Sequence, residues 1–404
     1  MDFESESFLM QDGVYRRCLI LFGSVGIFLR IVLVARTMGS NDVFIWTEHA
    51  KLVATHGVQY AFANSPMYNH PPLMGYWAAL ATTLARDPLE FARWLKIPGL
   101  LGDIGSSVLI YRIYSRRSGP LAAAQAFTAY AWGLCAILVS GYHGNTDALV
   151  AFFSLLSVYL LDARERPFWS GLALALALNV KIIPLLIVPC LVLSLRSRRH
   201  LAHWTMGLAL GIIPYIPFLM TVAKYMKQNM ISYNSNPDNW GILAFLNAGL
   251  SYPAFAVKAA EARAVYLSIG RYIVIGLIAA MSLAGRLLQR WSRYELAAIS
   301  YAIFLVFAPG FGVQYTIILA PLLFAVSIAL GWMYATLAGF FIGSVYYAFL
   351  TIDDAPRSVF TTSYPVPTVL VGVLAWGYLF LCLIEMIRGR TERSRAGPPI
   401  SSVS

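Results

Sequence analysis

A chain of 404 residues of which 59% are hydrophobic and only 12% charged has too few ionic side chains to clothe a soluble domain, where about a quarter of residues are charged. The net charge of +11 does not point to nucleic acid, because the basic residues stand in short clusters between apolar runs: Arg16-Arg17, Arg112 to Arg117, Arg196 to Arg199, Arg286 to Arg293 and Arg388 to Arg395. That is the positive-inside pattern of a protein that crosses a membrane many times.

A helix needs about 20 residues to cross the hydrocarbon, and the apolar runs predict spans at 18–37, 97–114, 121–139, 147–162, 203–222, 265–285, 294–308, 313–330, 332–351 and 366–387. The first run, Cys18 to Ala35, is too long for the apolar part of a signal peptide and reads as an uncleaved helix. Residues 71–85 follow "NHPP" and make a helix of about 22 Å, short for a crossing. A crossing there would also put the Arg112 cluster outside, so this segment reads as a re-entrant or interfacial helix of the first loop. Between Trp169 and Leu195, two helices broken at Lys181, with Pro184 starting the descent, keep both flanking basic clusters inside.

The expected fold is therefore all-α: one polytopic domain over 1–387, about 12 transmembrane helices with both termini cytoplasmic, and a basic, disordered cytoplasmic tail at 388–404. A large first extracytoplasmic loop at 38–96 carries short interfacial helices. The same outer side receives 140–146, the tip at Lys181, the segment 223–264 with "NSNPDNW", and turns at 309–312 and 352–365. The four cysteines, Cys18, Cys135, Cys190 and Cys382, lie in or beside apolar runs and read as small hydrophobes, with no disulfide or metal-thiolate site expected.

Ionisable residues in or beside a span are expensive and mark functional sites. In this topology Asp42, Arg93, Lys96, Asp103, His143, Asp147 and Lys181 all face the outer leaflet. Asp42 stands where a helix "VFIWTEHAKLVATHG" begins and reads equally as a helix cap; Glu48 and His49 follow it on the helical period, as a solvated face would. His143, Asn145 and Asp147 bring more polar groups to the head of a span than a cap requires. Asp103, flanked by small residues, suits a structural hydrogen bond as well as chemistry. Lys181, Arg93 and Lys96 are either interfacial anchors or a phosphate site. Gln314 and Tyr315 leave a Gly/Pro turn at the same outer face.

Taken together these segments resemble the C-type, membrane-embedded glycosyltransferases. Tyr68-Asn69-His70-Pro71-Pro72-Leu73 is similar to the His-Pro-Pro-Leu segment of protein O-mannosyltransferases. "GYHGNTDAL" resembles the Gly-x-x-Asp element of polyprenyl-phosphate-mannose-dependent mannosyltransferases, "GLALALALNVKIIPLLIVP" their Gly-rich helix followed by Lys and Pro, and "FGVQYTIILAPLLF" their Gln-Tyr span. The pattern covers most of 40–330, and the order and common sidedness of the motifs carry it.

The resemblance implies a transferase that moves a hexose, mannose first, from a polyprenyl- or dolichyl-phosphate donor to a hydroxyl of a lipid-linked, polysaccharide or protein acceptor. It implies the extracytoplasmic face of a bacterial inner membrane, or the endoplasmic reticulum if the source is eukaryotic. Asp42 is the implied general base, with Asp147 as a second catalytic carboxylate. Lys181, Arg93, Lys96, His70, His143, Asp103, Gln314 and Tyr315 are the implied substrate contacts. The family's Asp-Glu or Asp-x-Asp doublet is Asn41-Asp42-Val43 here, so no metal ligand set is assigned, although the resemblance leaves room for Mg or Mn at Asp42. The rival readings are a transporter or flippase for a lipid-linked sugar, which would show polar residues at mid-membrane depth, and a non-catalytic transferase subunit. The inner halves of the spans read as almost uniformly apolar, against the transporter.

Overall fold

A computed structural model describes residues 3–232, 235, 240–350 and 364–389; the expected tail beyond 389, the turn at 352–363 and most of "NSNPDNW" lie outside them. All regular structure among the described residues is helical. The first span, α1 (Phe3–Arg36), begins well before the apolar run. The first loop folds as α2 (Asn41–His56), α3 (Val58–Asn64) and α4 (Pro72–Leu84). Proline at its first position suits α4, because the ring presets φ where no intrahelical N–H is needed. Met74, Gly75, Ala78 and Ala81 bury one face of α4 against α2 and α5, while Leu73, Tyr76, Leu80 and Leu84 are exposed along the other. A 13-residue helix with an outward apolar stripe is what an interfacial helix needs.

The second span, α5 (Pro88–Arg117), is capped by Asp87 accepting from the Glu90 N–H at 2.8 Å. The third is broken: α6 (Pro120–Ala131) bends by 51° into α7 (Leu134–Ala136), which unwinds into a π-helical turn, Ile137–His143. After a glycine turn come α8 (Asp147–Asp162) and α9 (Pro167–Val180). The chain stops at Lys181, then descends through a 3₁₀ turn into α10 (Val188–Leu193). A further broken run follows, α11 (Arg198–Ile212) and α12 (Ile216–Thr221), then the short α13 (Ala223–Met226) and α14 (Gly241–Leu250). The rest is α15 (Ala256–Leu288), α16 (Arg293–Phe307), α17 (Thr316–Val326), α18 (Ile328–Leu350) and α19 (Val366–Arg388). The innermost helices, α8, α16 and α17, carry Leu155, Ile299, Leu319 and Phe324 with no exposed surface. The loop helices rest on α12 and α13 through a second apolar cluster of Val53, Phe62, Tyr68, Phe218 and Met226.

Five of the described helices are long and apolar enough to cross a membrane alone, or six if the bent pair counts as one span. The twelve expected passes are not reached by that measure. Helices such as α8 and α16 are 16 and 15 residues long, and α5 carries charged residues along its length, so those passes would depend on flanking turns and neighbouring helices.

An ion pair is buried within the spans, toward their outer ends in the expected topology. Arg30, six residues or about 9 Å before the end of α1, and Asp103 of α5 form an ion pair at 2.5 Å with no exposed side-chain surface on either partner. Asp103 also accepts from Tyr130 and from Ser140, the latter at 2.9 Å. Arg30 donates to the Gly26 carbonyl, to the Ala131 carbonyl that the break after α6 leaves without a helical partner, and to the Tyr130 carbonyl, which also accepts from the Gly133 N–H. A bare carbonyl in the hydrocarbon costs several kcal/mol, so the guanidinium is the cap that lets the third span bend. Being closed off on all sides, the pair lines no transport path.

Replacing Arg30 by Met strands the Asp103 charge and uncovers the Ala131 carbonyl, with an expected loss of roughly 3–5 kcal/mol. The unfolding temperature of the detergent-solubilised protein should fall accordingly, and recover only in part in Arg30→Met/Asp103→Leu, which removes the stranded charge but leaves the Ala131 carbonyl uncapped. An unchanged melting temperature in the single variant contradicts the capping role.

Candidate active site

The site is built where the chain leaves α1. Gly39 and Gly144 both have positive φ, at 97° and 83°, a backbone conformation few other residues adopt without strain. A Cβ at Gly39 would stand 2.8 Å from the Tyr142 carbonyl, and one at Gly144 would stand 2.4 Å from the Val43 side chain. The two glycines thus let the start of α2 lie directly on the turn that follows the π-helix. Ser40 seals that contact, its backbone N–H and hydroxyl donating to the His143 carbonyl at 3.1 and 2.8 Å.

Ser40 is also the N-cap of α2, its hydroxyl accepting from the Asp42 N–H. The cap reading of Asp42 is thereby corrected: Asp42 lies inside the first turn, and its carboxylate is free to face the turn at 143–145. His143 Nε2 donates to Asp42 Oδ2 at 3.1 Å, Asn145 Nδ2 donates to the same oxygen, and Gln314 Nε2 stands 3.5 Å from it. All three act on Oδ2. Oδ1 has no hydrogen-bond partner among the described residues, and the side chain is 17% exposed. Burial raises the carboxyl pKa, yet the adjoining His143 with its hydrogen bond, the Asn145 bond and the Lys181 charge outweigh it and hold Asp42 below its ordinary 3.8. It is an ionised carboxylate with one oxygen fixed and one presented.

A second cluster adjoins it. Lys181, left at the end of α9 where the helix stops, donates to both oxygens of Asp147 at 2.9 and 3.0 Å, and its ammonium lies 4.6 Å from the centre of the Tyr315 ring. Asp147 has no exposed surface and both its oxygens are taken by Lys181, so it is the counter-ion of that ammonium, and the structure does not present it as a second base. Tyr315 follows Gln314 directly, and His70 is buried within reach of the Lys181 and Asp42 charges, its ring 4.4 Å from Trp46. Burial, Lys181 and His49 push the His70 imidazole well below its usual range, which keeps it neutral.

Three residues expected at the site are engaged elsewhere. Asp103 belongs to the Arg30 network. Arg93 donates to the Ala35 carbonyl at 2.8 Å, and Lys96, 1% exposed, donates to the Thr37 carbonyl at 2.6 Å and to its hydroxyl at 3.1 Å. Both therefore neutralise the negative end of α1, a position that favours cations. Glu48 pairs with Lys51 on the exposed face of α2, as a solvated helix would have it. Two residues were missed. Arg30 carried a signal, a lone arginine in an apolar run. Tyr346, whose hydroxyl lies 2.6 Å from His143 Nδ1, carried none, since an aromatic near the end of a span reads as an interface residue.

The donor set does not suit a divalent cation. Mg and Mn take oxygen ligands, whereas Oδ2 of Asp42 is occupied by N–H donors and Asp147 is occupied by Lys181. No group of three His, Cys, Asp or Glu residues among the described residues is arranged to hold a metal.

His49 is buried behind this site, and neither ring nitrogen makes a hydrogen bond of ordinary geometry, although the Met67 backbone lies close enough to favour a charged ring. Burial wins and pushes the imidazole down to about 4. A base whose pKa is lowered by folding binds more protons when unfolded. Stability is therefore fully present above about pH 6.5 and falls as the pH drops from there to about 4, by up to about 3 kcal/mol. Melting curves at pH 7 and 5 should show this loss in the wild type and a smaller one in His49→Gln. Equal losses contradict the assignment.

The sequence profile of glycosyltransferase family 87 matches residues 61–311, more than half of the chain; the match takes in His143, Asp147 and Lys181, and stops short of Asp42, Gln314 and Tyr346 at either side. No curated protein matches the sequence at significant similarity.

Proposed function

The chain belongs to glycosyltransferase family 87, and from that premise we propose that it moves a hexose, mannose first, from a polyprenyl-phosphate donor to an acceptor hydroxyl at the extracytoplasmic side of its membrane. The observation that carries this reading is the asymmetry of Asp42: three N–H donors gathered on Oδ2 and, among the described residues, none on Oδ1. A carboxylate held in that way has a fixed orientation and one oxygen free to meet a proton.

In this reading the acceptor hydroxyl donates to Oδ1 and attacks the anomeric carbon. As the new C–O bond forms, its proton passes to Asp42 and the bond from the anomeric carbon to the phosphate oxygen breaks. The electron pair leaves with the lipid phosphate. General-base help of this kind contributes typically about 10²–10⁴-fold. The charge that grows on the leaving phosphate is met by Lys181, a point charge held in place by Asp147 and by the face of Tyr315. His70, neutral and buried, and Gln314 supply polar contacts without adding charge.

The polyprenyl tail explains why the site sits among apolar helices. The exposed face of α4 and the broken run α11–α12 offer lipid-facing surface beside the loop. The basic clusters between spans favour the opposite, cytoplasmic side, which leaves the site outside. A bacterial inner membrane is the setting we propose, where such donors are presented on the outer leaflet.

Incubating the purified protein with radiolabelled polyprenyl-phosphate hexoses and a membrane lipid extract should give a labelled product with one donor. Folded protein that gives no product with any donor contradicts the transfer reading and favours movement of a lipid-linked sugar across the bilayer, a subject for vesicle flux measurements.

A further inference from the structure

His143 lies between two partners, and their chemistry fixes where its protons are. The Asp42 carboxylate can only accept, so His143 Nε2 must carry a hydrogen to bond it at 3.1 Å. In a neutral ring Nδ1 then has a lone pair and needs a donor. The group that faces it is the Tyr346 hydroxyl at 2.6 Å, on a ring stacked at 5.6 Å from the imidazole and 24° from parallel with it. His143 is 2% and Tyr346 7% exposed, so water is not a ready substitute.

We propose that Tyr346 is a positioning residue that locks His143 in the neutral, Nε2-protonated tautomer and so reserves the role of base for Asp42, an inference that rests on the transfer reading above only for its catalytic consequence. An Asp–His pair can work in either direction. When a carboxylate holds one ring nitrogen and the other faces substrate, the histidine is the base and the carboxylate only orients it. Here the second nitrogen is closed by a tyrosine from α18, and the carboxylate has the open oxygen. The order of the pair is reversed by a hydroxyl more than 200 positions away in the sequence.

The surroundings engage both ring nitrogens. The groups facing His143 are Asp42 from α2, Tyr346 from α18, its neighbour Tyr142, whose ring centre is 4.9 Å from that of Tyr346, and the Lys96 stem from α5 beside Gly144. The Lys96 ammonium itself is turned to Thr37. One anion therefore meets the ring at Nε2, and a hydroxyl that can donate meets it at Nδ1.

The test is nitrogen NMR of the full-length protein labelled with ¹⁵N-histidine in lipid nanodiscs, with His143→Gln to assign one of six histidines. The wild type should show His143 with a protonated Nε2 and an unprotonated Nδ1 at neutral pH. Two protonated nitrogens, or a protonated Nδ1 alone, overturn the proposal without any variant and without any activity assay. Tyr346→Phe should release the ring into a mixture of tautomers, and with the donor identified it should lower kcat by about tenfold while leaving the donor KM within twofold. A Tyr346→Phe protein with the wild-type spectrum, or with wild-type kcat, overturns the positioning role. Absence of transfer by the wild type would count against the transfer reading, while the spectrum would still decide the tautomer.

Discussion

Among the apolar walls of a membrane protein a carboxylate stays ionised only if hydrogen-bond donors are aimed at it, and the structure around Asp42 is arranged to supply them. The break in the third span, the π-helical turn, the two glycines at 39 and 144 and the turn before α17 all end in N–H groups directed at one oxygen. The Arg30–Asp103 pair belongs to the same arrangement, because it caps the Ala131 carbonyl that the break exposes and, through Ser140, ties the π-turn to α5.

The same constraint explains how the other charges are used. Lys181 is balanced by Asp147, while Arg93 and Lys96 rest on the carbonyl end of α1. At the opposite ends of the helices, Arg293 bonds the Leu161 and Ser194 carbonyls and Arg117 the Ala325 carbonyl. Cations thus close the negative ends of helices on both sides of the protein, and the clusters that set its orientation also hold its turns together. What distinguishes the end that carries Asp42 is a carboxylate with one oxygen unbonded among the described residues and the Lys181 ammonium near enough to lower its pKa.

Much of this was legible in the sequence. The apolar runs and basic clusters give an all-helical membrane protein, the proline after "NH" gives a short interfacial helix, and the break at Lys181 follows from keeping two basic clusters on one side. Asp42, His143, Lys181 and Gln314 were recognisable because polar residues at span ends are few. Roles were harder to read. Asp147 and Lys181 are 34 positions apart, and nothing in their spacing says that they neutralise each other. Arg93 and Lys96 read as phosphate ligands because the end of α1 was not known to lie beside them. Tyr346 was invisible, since its significance is a single hydroxyl meeting a ring from another part of the chain. Five or six of the described helices are long and apolar enough to cross alone, and broken or shortened helices leave the same apolar runs in the sequence as straight ones.

The most direct measurement is turnover of the purified Asp42→Asn protein beside the wild type, with the polyprenyl-phosphate sugar that the wild type accepts. Asparagine keeps the shape and the hydrogen-bonding oxygen but cannot take a proton, so the account predicts a folded protein with a wild-type elution profile, donor binding within a few-fold, and turnover at least about a hundredfold lower. Near-normal turnover would contradict the assignment of Asp42 as the base.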